Sequence, residues 1–465
     1  MSDRYYMEAR GSMTRFDPLL PSHLEKLDTD LTCEELDQTL SECGLSMNHV
    51  LYDETRIYEN TFYADYERGL YFPISLYVMT EDDKRKFQYL AIDTKGGNEF
   101  LQKKDWERYY RLSVPVPMLI YDFNRRYRDI PPEQVFAVWY SIHRRIDYAN
   151  GMWLREVMEY VFDHAPDGER PAPGKDGLVT LYRGMGELSQ PAEEAVSWST
   201  SPENALWFAN HSGHGTRLAV AEINPAEALA YFHGYRNENE VIVRPGTPRN
   251  IRYEDMLPST QETFNALAMP ALLEFSRWAP QAMRLGYEEV LESPFRYHGV
   301  QHILRVLFLS LIYYYKSGDP LTEADKNILI AFSLLHDLGR TNDGEEENHG
   351  KKSVELIRQK DIRIKSLRLS KRERQIVELL IRLHCVEDRA GLAEIDAQPG
   401  FSRKDKEYVS WLYLICKDMD GLDRVRFAGL DYRRLRTPFA KKLPLVAGGL
   451  LNDDILKFVK MTEGE

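Results

Sequence analysis

The chain has 465 residues, of which 43% are hydrophobic, 29% charged and 12% aromatic, a length and composition typical of a globular protein with two or three domains. Its net charge of −13 argues against a nucleic-acid partner, because binding to a phosphate backbone requires a positively charged surface. The four cysteines show no CxxC spacing, and the longest apolar run, residues 306 to 315, is too short to span a bilayer, so we expect neither a disulfide framework nor a membrane partner.

Residues 1 to 115 contain no motif that carries chemistry. DLTCEELDQTLSECGL, which begins at Asp30, predicts a helix capped by Asp30 or Thr32. LYFPISLYVM, which begins at Leu70, has the β-branched and aromatic residues of a strand. We interpret this region as an N-terminal domain of unknown role, with a structural or targeting function as the simplest expectation.

Residues 116 to 255 combine a helical part with a strand-rich part. The segment from Pro131 to Ala165 opens with prolines, which suit a helix start, and carries apolar residues at helical spacing. A Pro/Gly-rich connection follows at residues 165 to 177. Beyond it, the helix PENALWFAN lies among four predicted strands, which are LVTLYRGM, AVSWSTS, TRLAVAEI and ENEVIVRP.

The strand-rich part carries a set of polar residues near the predicted strands, namely Arg183, Ser199, Thr200, Ser201, Glu238 and Glu240. Residues two apart in an extended chain face the same way, so both carboxylates can address one cleft. An arginine fork suits a phosphate, and a serine hydroxyl can hold a ribose or an amide. A carboxylate can stabilise an oxocarbenium-like centre or orient an acceptor.

In this order the residues resemble the arginine–serine–glutamate class of mono-ADP-ribosyltransferases, over residues 131 to 245. The resemblance implies a split β-sandwich with a helical lobe, and NAD as the substrate. Arg183 would hold the NAD phosphate, and Ser199 with the two residues after it would support the nicotinamide end. Glu240 would be the catalytic glutamate, Glu238 would face the acceptor and Tyr235 would contact it. Glu-x-Glu implies an arginine of a protein as the acceptor.

Residues 260 to 465 predict an all-helical domain, which begins after a loop-rich boundary at residues 245 to 260. The predicted helical segments are ETFNALAMPALLEFSRWA, HGVQHILRVLFLSLIYYYK, TEADKNILIAFSLLHDLG, KKSVELIRQ, KRERQIVELLIRLH, RKDKEYVSWLYLICKDMDGLDRVR and NDDILKFVK. The overall expectation is a multidomain α+β protein whose last domain, residues 260 to 465, is all-α.

Histidines and acidic residues recur along these helices, at His298, His302, His336, Asp337, His349, His384, Asp418, Asp420 and Asp423. Asp337 follows an apolar run, and a buried carboxylate requires compensation. A metal ion would satisfy the carboxylate and the neighbouring imidazole together. Imidazole and carboxylate ligands without a thiolate suit Mn, Fe, Co, Ni or Mg rather than a structural zinc.

This order resembles the HD superfamily of metal-dependent phosphohydrolases over residues 288 to 426, and YHGVQH resembles the YHNxxH segment of its phosphodiesterase branch, with Gly299 in place of Asn. The resemblance implies one or two divalent metal ions. The first would bind His302, His336, Asp337 and Asp420. His349 and His384 would extend the site to a second.

The same resemblance assigns the groups around the metals. His298 would donate a proton to the leaving oxygen, and Arg340 and Arg424 would contact phosphate. Asp418 and Asp423 compete with Asp420 for the ligand role, and Asp420 is preferred because it fits the DxLDR-like ending of the family.

The pairing of the two resemblances is similar to the SidE-type effectors, which join an ADP-ribosyltransferase to a phosphodiesterase and act on ubiquitin. It implies a bifunctional enzyme that transfers ADP-ribose from NAD to a protein acceptor, with ubiquitin as a candidate, and cleaves a phosphate linkage of the product or of a nucleotide. Hydrolysis, removal of the modification and ligation all stay open.

A second interpretation is an HD nucleotide phosphohydrolase with an accessory or degenerate transferase module, in a regulatory or defence role. The N-terminal MSDRYYMEARGSM lacks the apolar core of a signal peptide. We expect a cytoplasmic protein, or one delivered into a host or target cell without a cleavable signal.

Overall fold

The computed structural model describes residues 19, 21–27, 34–56, 60–75, 81–146, 152–186, 189–211, 215–233, 239–257, 261–285, 287, 298–342, 346, 348–427 and 430–452. The chain divides into two compact units, the first made of residues 1–170 with 229–231 and the second of residues 171–228 with 232–465. The domain boundaries expected near residues 115 and 260 stay predictions.

The first unit contains a small antiparallel sheet and several helices. Its strands pair in chain order and are β1 (Glu25–Lys26), β2 (Val50–Tyr52), β3 (Thr61–Asp65) and β4 (Leu70–Pro73). Its helices are α1 (Glu34–Glu42), α2 (Glu81–Gln102), α3 (Trp106–Arg108), α4 (Leu119–Arg126), α5 (Pro132–His143) and α6 (Arg155–Asp163), with a π-helical turn at Tyr109–Ser113. The strand predicted from Leu70 is present as β4, and its later residues 76–79 lie outside the described part of the chain.

The second unit begins with a strand-rich part. Its strands are β5 (Val179–Gly186), β6 (Ser197–Ser199), β7 (Gly215–Ile223), β9 (Glu240–Ile242) and β10 (Arg249–Asp255), and β8 (Ala230–Phe232) lies between β7 and β9 in the chain. Five neighbouring strands follow the order β10-β7-β5-β6-β9. The register places Tyr182 opposite Ser199 and Ser199 opposite Glu240. Ser199 on β6 therefore lies between β5, which carries Arg183, and β9, which begins at Glu240.

Helix α7 (Pro202–His211) packs closely on β5 and β7 because two glycines leave room for it. A Cβ at Gly184 would lie 2.3 Å from the carbonyl oxygen of Ala205 and 2.5 Å from the amide nitrogen of Ala209. A Cβ at Gly215 would lie 2.1 Å from the carbonyl oxygen of Ala209. The glycine of LYRG therefore serves helix packing directly beside Arg183.

The prediction of a loop-rich boundary at residues 245 to 260 was wrong over residues 249–255, which form β10. This strand pairs with β7, with Tyr253 opposite Ala219. None of its residues is buried, so it lacks the alternating apolar pattern that predicts a strand. Its register also shifts between Arg249 and Arg252, where Asn250 has a φ of 55°. A polar edge strand is protected against pairing with another chain, which explains the composition.

The rest of the second unit is helical. Its α-helices are α8 (Gln261–Arg284), α9 (Val300–Lys316), α10 (Glu323–Leu335), α11 (His349–Gln359), α12 (Lys371–Leu383), α13 (Asp388–Asp396), α14 (Arg403–Leu422) and α15 (Pro444–Asn452). The 3₁₀ turns Asp423–Phe427, Tyr432–Arg434 and Ala440–Lys442 follow α14. The helix predicted at NDDILKFVK lies almost wholly outside the described residues, and the preceding α15 was not predicted.

Helices α9 and α10 form the centre of the helical core. The apolar run of residues 306 to 315 lies in α9, and its side chains from Val306 to Tyr313 are buried. Ser333 of α10 donates a hydrogen bond to the carbonyl oxygen of Leu329, so its hydroxyl is satisfied within the core. No helix in the described ranges combines the length and the apolar character needed to cross a membrane.

Candidate functional site

Helix ends and one helix face bring the predicted ligands to one point in the second unit. His302 lies in α9, His336 and Asp337 follow α10, His349 begins α11, His384 follows α12, and Asp420 lies in the last turn of α14. His302 and His336 are fully buried, and Asp337 is only 3% exposed. The apolar faces of these helices pack into one core, and that packing gathers the polar residues.

The imidazoles converge through their Nε2 atoms. The Nε2 atoms of His302 and His336 are 3.2 Å apart, and those of His349 and His384 are 2.7 Å apart. Asp337 joins the two pairs, because its Oδ2 is 3.5 Å from His302 Nε2 and its Oδ1 is 3.2 Å from His349 Nε2. Asp420 Oδ1 is 3.4 Å from His302 Nε2.

The other ring nitrogen of each histidine, Nδ1, faces a hydrogen-bond acceptor. His302 Nδ1 is 2.7 Å from Asp423 Oδ2, His336 Nδ1 is 3.1 Å from the Ser333 carbonyl oxygen, and His384 Nδ1 is 2.6 Å from the Ile381 carbonyl oxygen. The Nδ1 atom of His349 likewise faces the Glu346 carbonyl oxygen. A ring that donates from Nδ1 presents an unprotonated Nε2, which is the form that binds a metal.

The facing Nε2 atoms require a positive charge between them. Two imidazole lone pairs at 2.7 Å repel each other unless a proton or a cation lies between them. Asp337 Oδ1, which is buried 3.2 Å from His349 Nε2 and 3.3 Å from His384 Nε2, accepts no hydrogen bond from the residues that the structure describes. A divalent cation satisfies the lone pairs and the carboxylate at once, so the side chains present fit a metal ion.

Charge within the cluster agrees with a cation site. Burial opposes ionisation of Asp337 and Asp420, yet the surrounding histidines hold the pKa of both carboxyls well below the usual range. Burial and Arg426 oppose protonation of His302, but its hydrogen bonds to Asp337, Asp420 and Asp423 raise its pKa to about 9. Burial lowers the pKa of His336 to about 4. Protonation of His302, whose Nδ1 faces Asp423, would place a proton on Nε2, the atom that would bind a metal ion.

Comparison with protein-family models identifies the domain in which these histidines and aspartates lie. Residues 299–425 match the HD domain model. The chain therefore contains an HD domain, and such a domain indicates a metal-dependent phosphohydrolase. No curated protein and no solved structure matches the chain.

Within the HD domain, the three competing aspartates lie in different environments. Asp418 accepts hydrogen bonds from the backbone nitrogens of Arg436 and Thr437, which fix the loop after α14. Asp423 faces His302 Nδ1 and the guanidinium of Arg305. Asp420 alone of the three forms a compact group with His302 and His336, with ligand atoms within 4.8 Å of one another. Asp420 therefore lies where a ligand shared with His302 and His336 could lie, and its role as the ligand stays a prediction.

His298 lies beside this cluster of histidines and aspartates and lines a pocket that opens over it. Its ring centroid is 5.8 Å from that of His302 and 5.8 Å from that of Phe427. Burial, followed by the charge of Arg426, lowers the pKa of His298 to about 3. As a proton donor, His298 would first have to gain a proton from an anionic substrate or from solvent.

Sequence reasoning did not single out Asp423 as the residue that orients His302, or Cys385 as a neighbour of the cluster. Cys385 lies with His349 and His384 in a group that could hold a metal. Burial raises the pKa of the Cys385 thiol, which disfavours the thiolate that would bind a metal. The adjacency of Cys385 to His384 was visible in the sequence, whereas Arg305, the partner of Asp423, lies 118 residues away.

The pocket that opens over the histidine–aspartate cluster has a volume of about 1090 Å³. It is lined by His298, Asp337, His349, His384 and Asp420, and by the predicted phosphate contacts Arg340 and Arg424. Glu203 of α7, in the strand-rich part of the same unit, also lines it. This carboxylate accepts a hydrogen bond from Ser201 Oγ at 2.6 Å. The pocket therefore reaches from the HD cluster to the helix that follows the predicted serine motif.

The predicted transferase residues also lie close together. Arg183 Nη1 donates to the Ser197 carbonyl oxygen at 2.7 Å, and Ser197 Oγ donates to Glu240 Oε1 at 2.5 Å. Glu240 and Ser199 are buried, at 7% and 6% exposure. Ser199 Oγ accepts from the Ser201 amide at 3.0 Å.

The rest of this set is only partly described. The Thr200 amide donates to the Asn239 carbonyl oxygen at 3.0 Å, which ties the serine motif to the start of β9. Glu238 and Tyr235 lie outside the described residues. Nothing in the comparisons supports an ADP-ribosyltransferase, so the roles of Arg183, Ser199, Thr200, Ser201, Glu238 and Glu240 stay predictions.

Proposed function

We propose that the HD domain hydrolyses a phosphate ester or anhydride with one or two divalent metal ions. The observation that carries the proposal is the convergence of four imidazole Nε2 atoms and two carboxylates on a pocket lined by arginines. Phosphoryl transfer depends on positioning and on neutralising charge, which metal ions and guanidinium groups supply.

The proposed metal ligands fall into two groups. His302, His336, Asp337 and Asp420 would hold the first ion, and His349 and His384 would extend the site to a second. When bound, the metal would polarise a phosphoryl oxygen and lower the pKa of water. Mn, Fe, Co, Ni and Mg suit these nitrogen and oxygen ligands.

The remaining groups bind and orient the substrate. Arg340 and Arg424 line the pocket and would hold phosphoryl oxygens, for which a guanidinium fork is suited. His298 would protonate the leaving oxygen once an anionic substrate raises its pKa. Asp423 would keep His302 in the tautomer that leaves Nε2 unprotonated.

The test uses the full chain loaded with Mn²⁺ and offered bis(p-nitrophenyl) phosphate, ADP-ribose and nucleotides in turn. The parent should release p-nitrophenol from the diester, AMP and ribose 5-phosphate from ADP-ribose, or phosphate from a nucleotide, and Asp337→Ala should not. Asp361→Ala is the matched control, because this carboxylate is 75% exposed and pairs only with Arg363 at 3.0 Å among the contacts described. Turnover in the Asp337 variant equal to that of the parent would contradict the proposal.

We further propose that the strand-rich part transfers ADP-ribose from NAD to a protein. The specific support is that Arg183, Ser199 and Glu240 lie on three neighbouring strands, with Ser199 opposite Glu240. Arg183 would hold the NAD phosphate, and Ser199 the nicotinamide end. Glu240, held by Ser197, would stabilise the oxocarbenium-like centre, and Glu238 would orient the acceptor arginine.

The transferase proposal is tested by release of nicotinamide from NAD, with and without candidate acceptors. Ubiquitin is one such acceptor. Glu240→Gln should abolish the release, whereas Glu194→Gln, at an exposed position of the same unit, should not. If the parent releases no nicotinamide with any acceptor, the strand-rich part is an accessory or degenerate module of an HD phosphohydrolase in a regulatory or defence role.

A coupled, SidE-like reaction would join the two proposals, because ADP-ribose on a protein contains the pyrophosphate that the HD centre could cleave. Glu203 follows the serine motif of the strand-rich part and lines the pocket of the histidine–aspartate cluster. Its position supports passage of the ADP-ribosyl product from the first site to the second. Intact-mass analysis should find an ADP-ribose adduct with Asp337→Ala and, with the parent, a smaller phosphoribosyl adduct from which AMP has been released. The same adduct from both proteins would contradict coupling and leave each single activity standing.

A further inference from the structure

Five arginines follow the metal centre within thirteen residues, at Arg424, Arg426, Arg433, Arg434 and Arg436, and all of them line its pocket. Four of them lie beyond the HD match, which ends at residue 425. These five positive charges stand against a net charge of −13 for the whole chain. A role for these arginines in substrate binding rests on the proposed phosphohydrolase activity.

Two of these arginines, Arg426 and Arg436, form ion pairs with carboxylates of the same unit. Arg426 Nη1 donates to Asp423 Oδ2 at 3.0 Å, and both side chains are buried. Arg436 donates to Asp388 at 2.8 Å and to Asp418 at 3.2 Å. Their charges are neutralised by these carboxylates, so we assign them to the structure of the pocket wall.

Arg433 and Arg434 differ from Arg426 and Arg436, because the two share a single carboxylate, that of Asp431. Arg433 Nε donates to Asp431 Oδ1 at 2.8 Å, whereas Arg434 Nε is 3.9 Å from Asp431 Oδ2. The Arg434 side chain is 86% exposed and the Arg433 side chain 52%. Together with Asp431 the pair carries a net charge of +1 on the pocket wall.

Arg433, the first residue of this pair, is held in a fixed position. It lies in the 3₁₀ turn Tyr432–Arg434, whose N-cap is Asp431, and the Asp431 side chain accepts a hydrogen bond from the Arg433 amide. Arg433 Nη1 also donates to the hydroxyl of Tyr182 at 2.7 Å. Both contacts limit the freedom of the guanidinium before any ligand arrives, which lowers the entropic cost of binding.

The pocket is larger and more highly charged than one phosphoryl group requires. Its volume of about 1090 Å³ lies at the upper end for sites that enclose a whole small molecule. Seven arginine and lysine side chains and seven aspartate and glutamate side chains are among the described residues that line it. The lining is formally neutral, and a divalent metal ion would make it attractive to an anion of more than one charge.

We propose that Arg433 and Arg434 form a second anion subsite in this pocket, which binds a distal phosphoryl group while the metal centre engages the first. The substrate class is then a diphosphate, either a nucleoside diphosphate or a pyrophosphate-linked conjugate, rather than a monoester. No new covalent step is involved.

The experiment measures binding of α,β-methylene-ADP, whose bridge resists hydrolysis, and of AMP to the Mn²⁺-loaded full chain by calorimetry. Charge-assisted contacts to a second phosphate correspond to roughly tenfold or more in affinity. The parent should therefore bind the diphosphate at least about tenfold more tightly than AMP. Arg434→Gln should lose most of that preference without a change in AMP affinity, and Arg433→Gln/Arg434→Gln should lose all of it.

Arg403→Gln provides the matched control, because Arg403 has a side chain 94% exposed, pairs with Glu407 and does not line the pocket. Arg434→Gln alone keeps the contacts of Arg433 with Asp431 and Tyr182, so it avoids a fold defect. An equal preference in Arg434→Gln and the parent, or no preference in the parent, would overturn the subsite. Because binding is measured without turnover, loss of preference in Arg434→Gln, in a chain whose parent hydrolyses neither bis(p-nitrophenyl) phosphate nor ADP-ribose nor ADP, would support the subsite and contradict only the hydrolase.

Discussion

At the scale of single residues, Asp423 determines how His302 can act. Its carboxylate lies 2.7 Å from His302 Nδ1 and binds the guanidinium groups of Arg305 and Arg426. The arginines hold the pKa of Asp423 below its usual range against the effect of burial. A permanently ionised partner at Nδ1 makes Nε2 more basic and directs it towards the cluster.

Asp423→Asn should weaken metal binding by about 10- to 100-fold, because the amide cannot supply the negative charge behind His302. Calorimetric titration of the full chain with Mn²⁺ measures this. Asp361→Asn, at an exposed position, should leave the affinity unchanged. Equal affinities for Asp423→Asn and the parent would show that the orientation of His302 does not depend on Asp423.

Metal affinity should also depend on pH through His302. Its pKa is raised to about 9, so below that pH the imidazolium must lose a proton before the metal binds. The apparent affinity should therefore rise by about tenfold per pH unit up to about pH 9 and then level off. Titrations in buffers of different ionisation enthalpy should find about one proton released per ion at pH 7. An affinity independent of pH between about 6 and 8 would contradict this.

The sequence predicted the members of the cluster better than their geometry. The order of His336-Asp337 and the later histidines pointed to an HD domain, which the match at residues 299–425 confirms. Asp420 was preferred over Asp418 and Asp423 from the DxLDR-like ending alone, whereas the different environments of the three could not be predicted, because all lie close together at one helix end and only packing separates them. The arginines at 433 and 434 could not be assigned, because a charged turn is usually solvated surface.

At the scale of elements, apolar periodicity predicted the long buried helices and the strands with buried faces. Helices α9 and α10 were predicted because their apolar residues continue over several turns. Strand β10 was missed because none of its residues is buried, and β-pairing with β7 holds it instead. The pairing of Ser199 with Glu240 was also beyond the sequence, because register depends on contacts far apart in the chain.

Gly184 offers a test at this scale. Gly184→Ala should lower the free energy of unfolding by about 1–3 kcal/mol, because the new Cβ meets the backbone of α7 rather than a flexible side chain. Chemical denaturation monitored by tryptophan fluorescence measures the change. Gly400→Ala is the control, since its Cβ would meet nothing within 4 Å. Equal unfolding midpoints for both variants would mean that α7 packs less closely on β5.

At the scale of the whole molecule, the second unit combines the HD domain with the strand-rich part that carries Arg183 and Glu240. A strongly acidic chain places seven basic side chains in one pocket and balances them with as many acidic ones. This balance means that metal binding and anion binding should depend on each other. The transferase and the coupling remain proposals that nicotinamide release and intact mass can decide separately.

We propose above all that the histidine–aspartate cluster of the HD domain binds a divalent metal ion. It is tested most directly by titrating the metal-free full chain with Mn²⁺ in a calorimeter, alongside Asp337→Ala and the control Asp361→Ala. We predict saturable binding of one or two ions by the parent and the control, and loss of that binding in Asp337→Ala. No binding by the parent, or equal binding by the Asp337 variant, would contradict metal binding at this cluster.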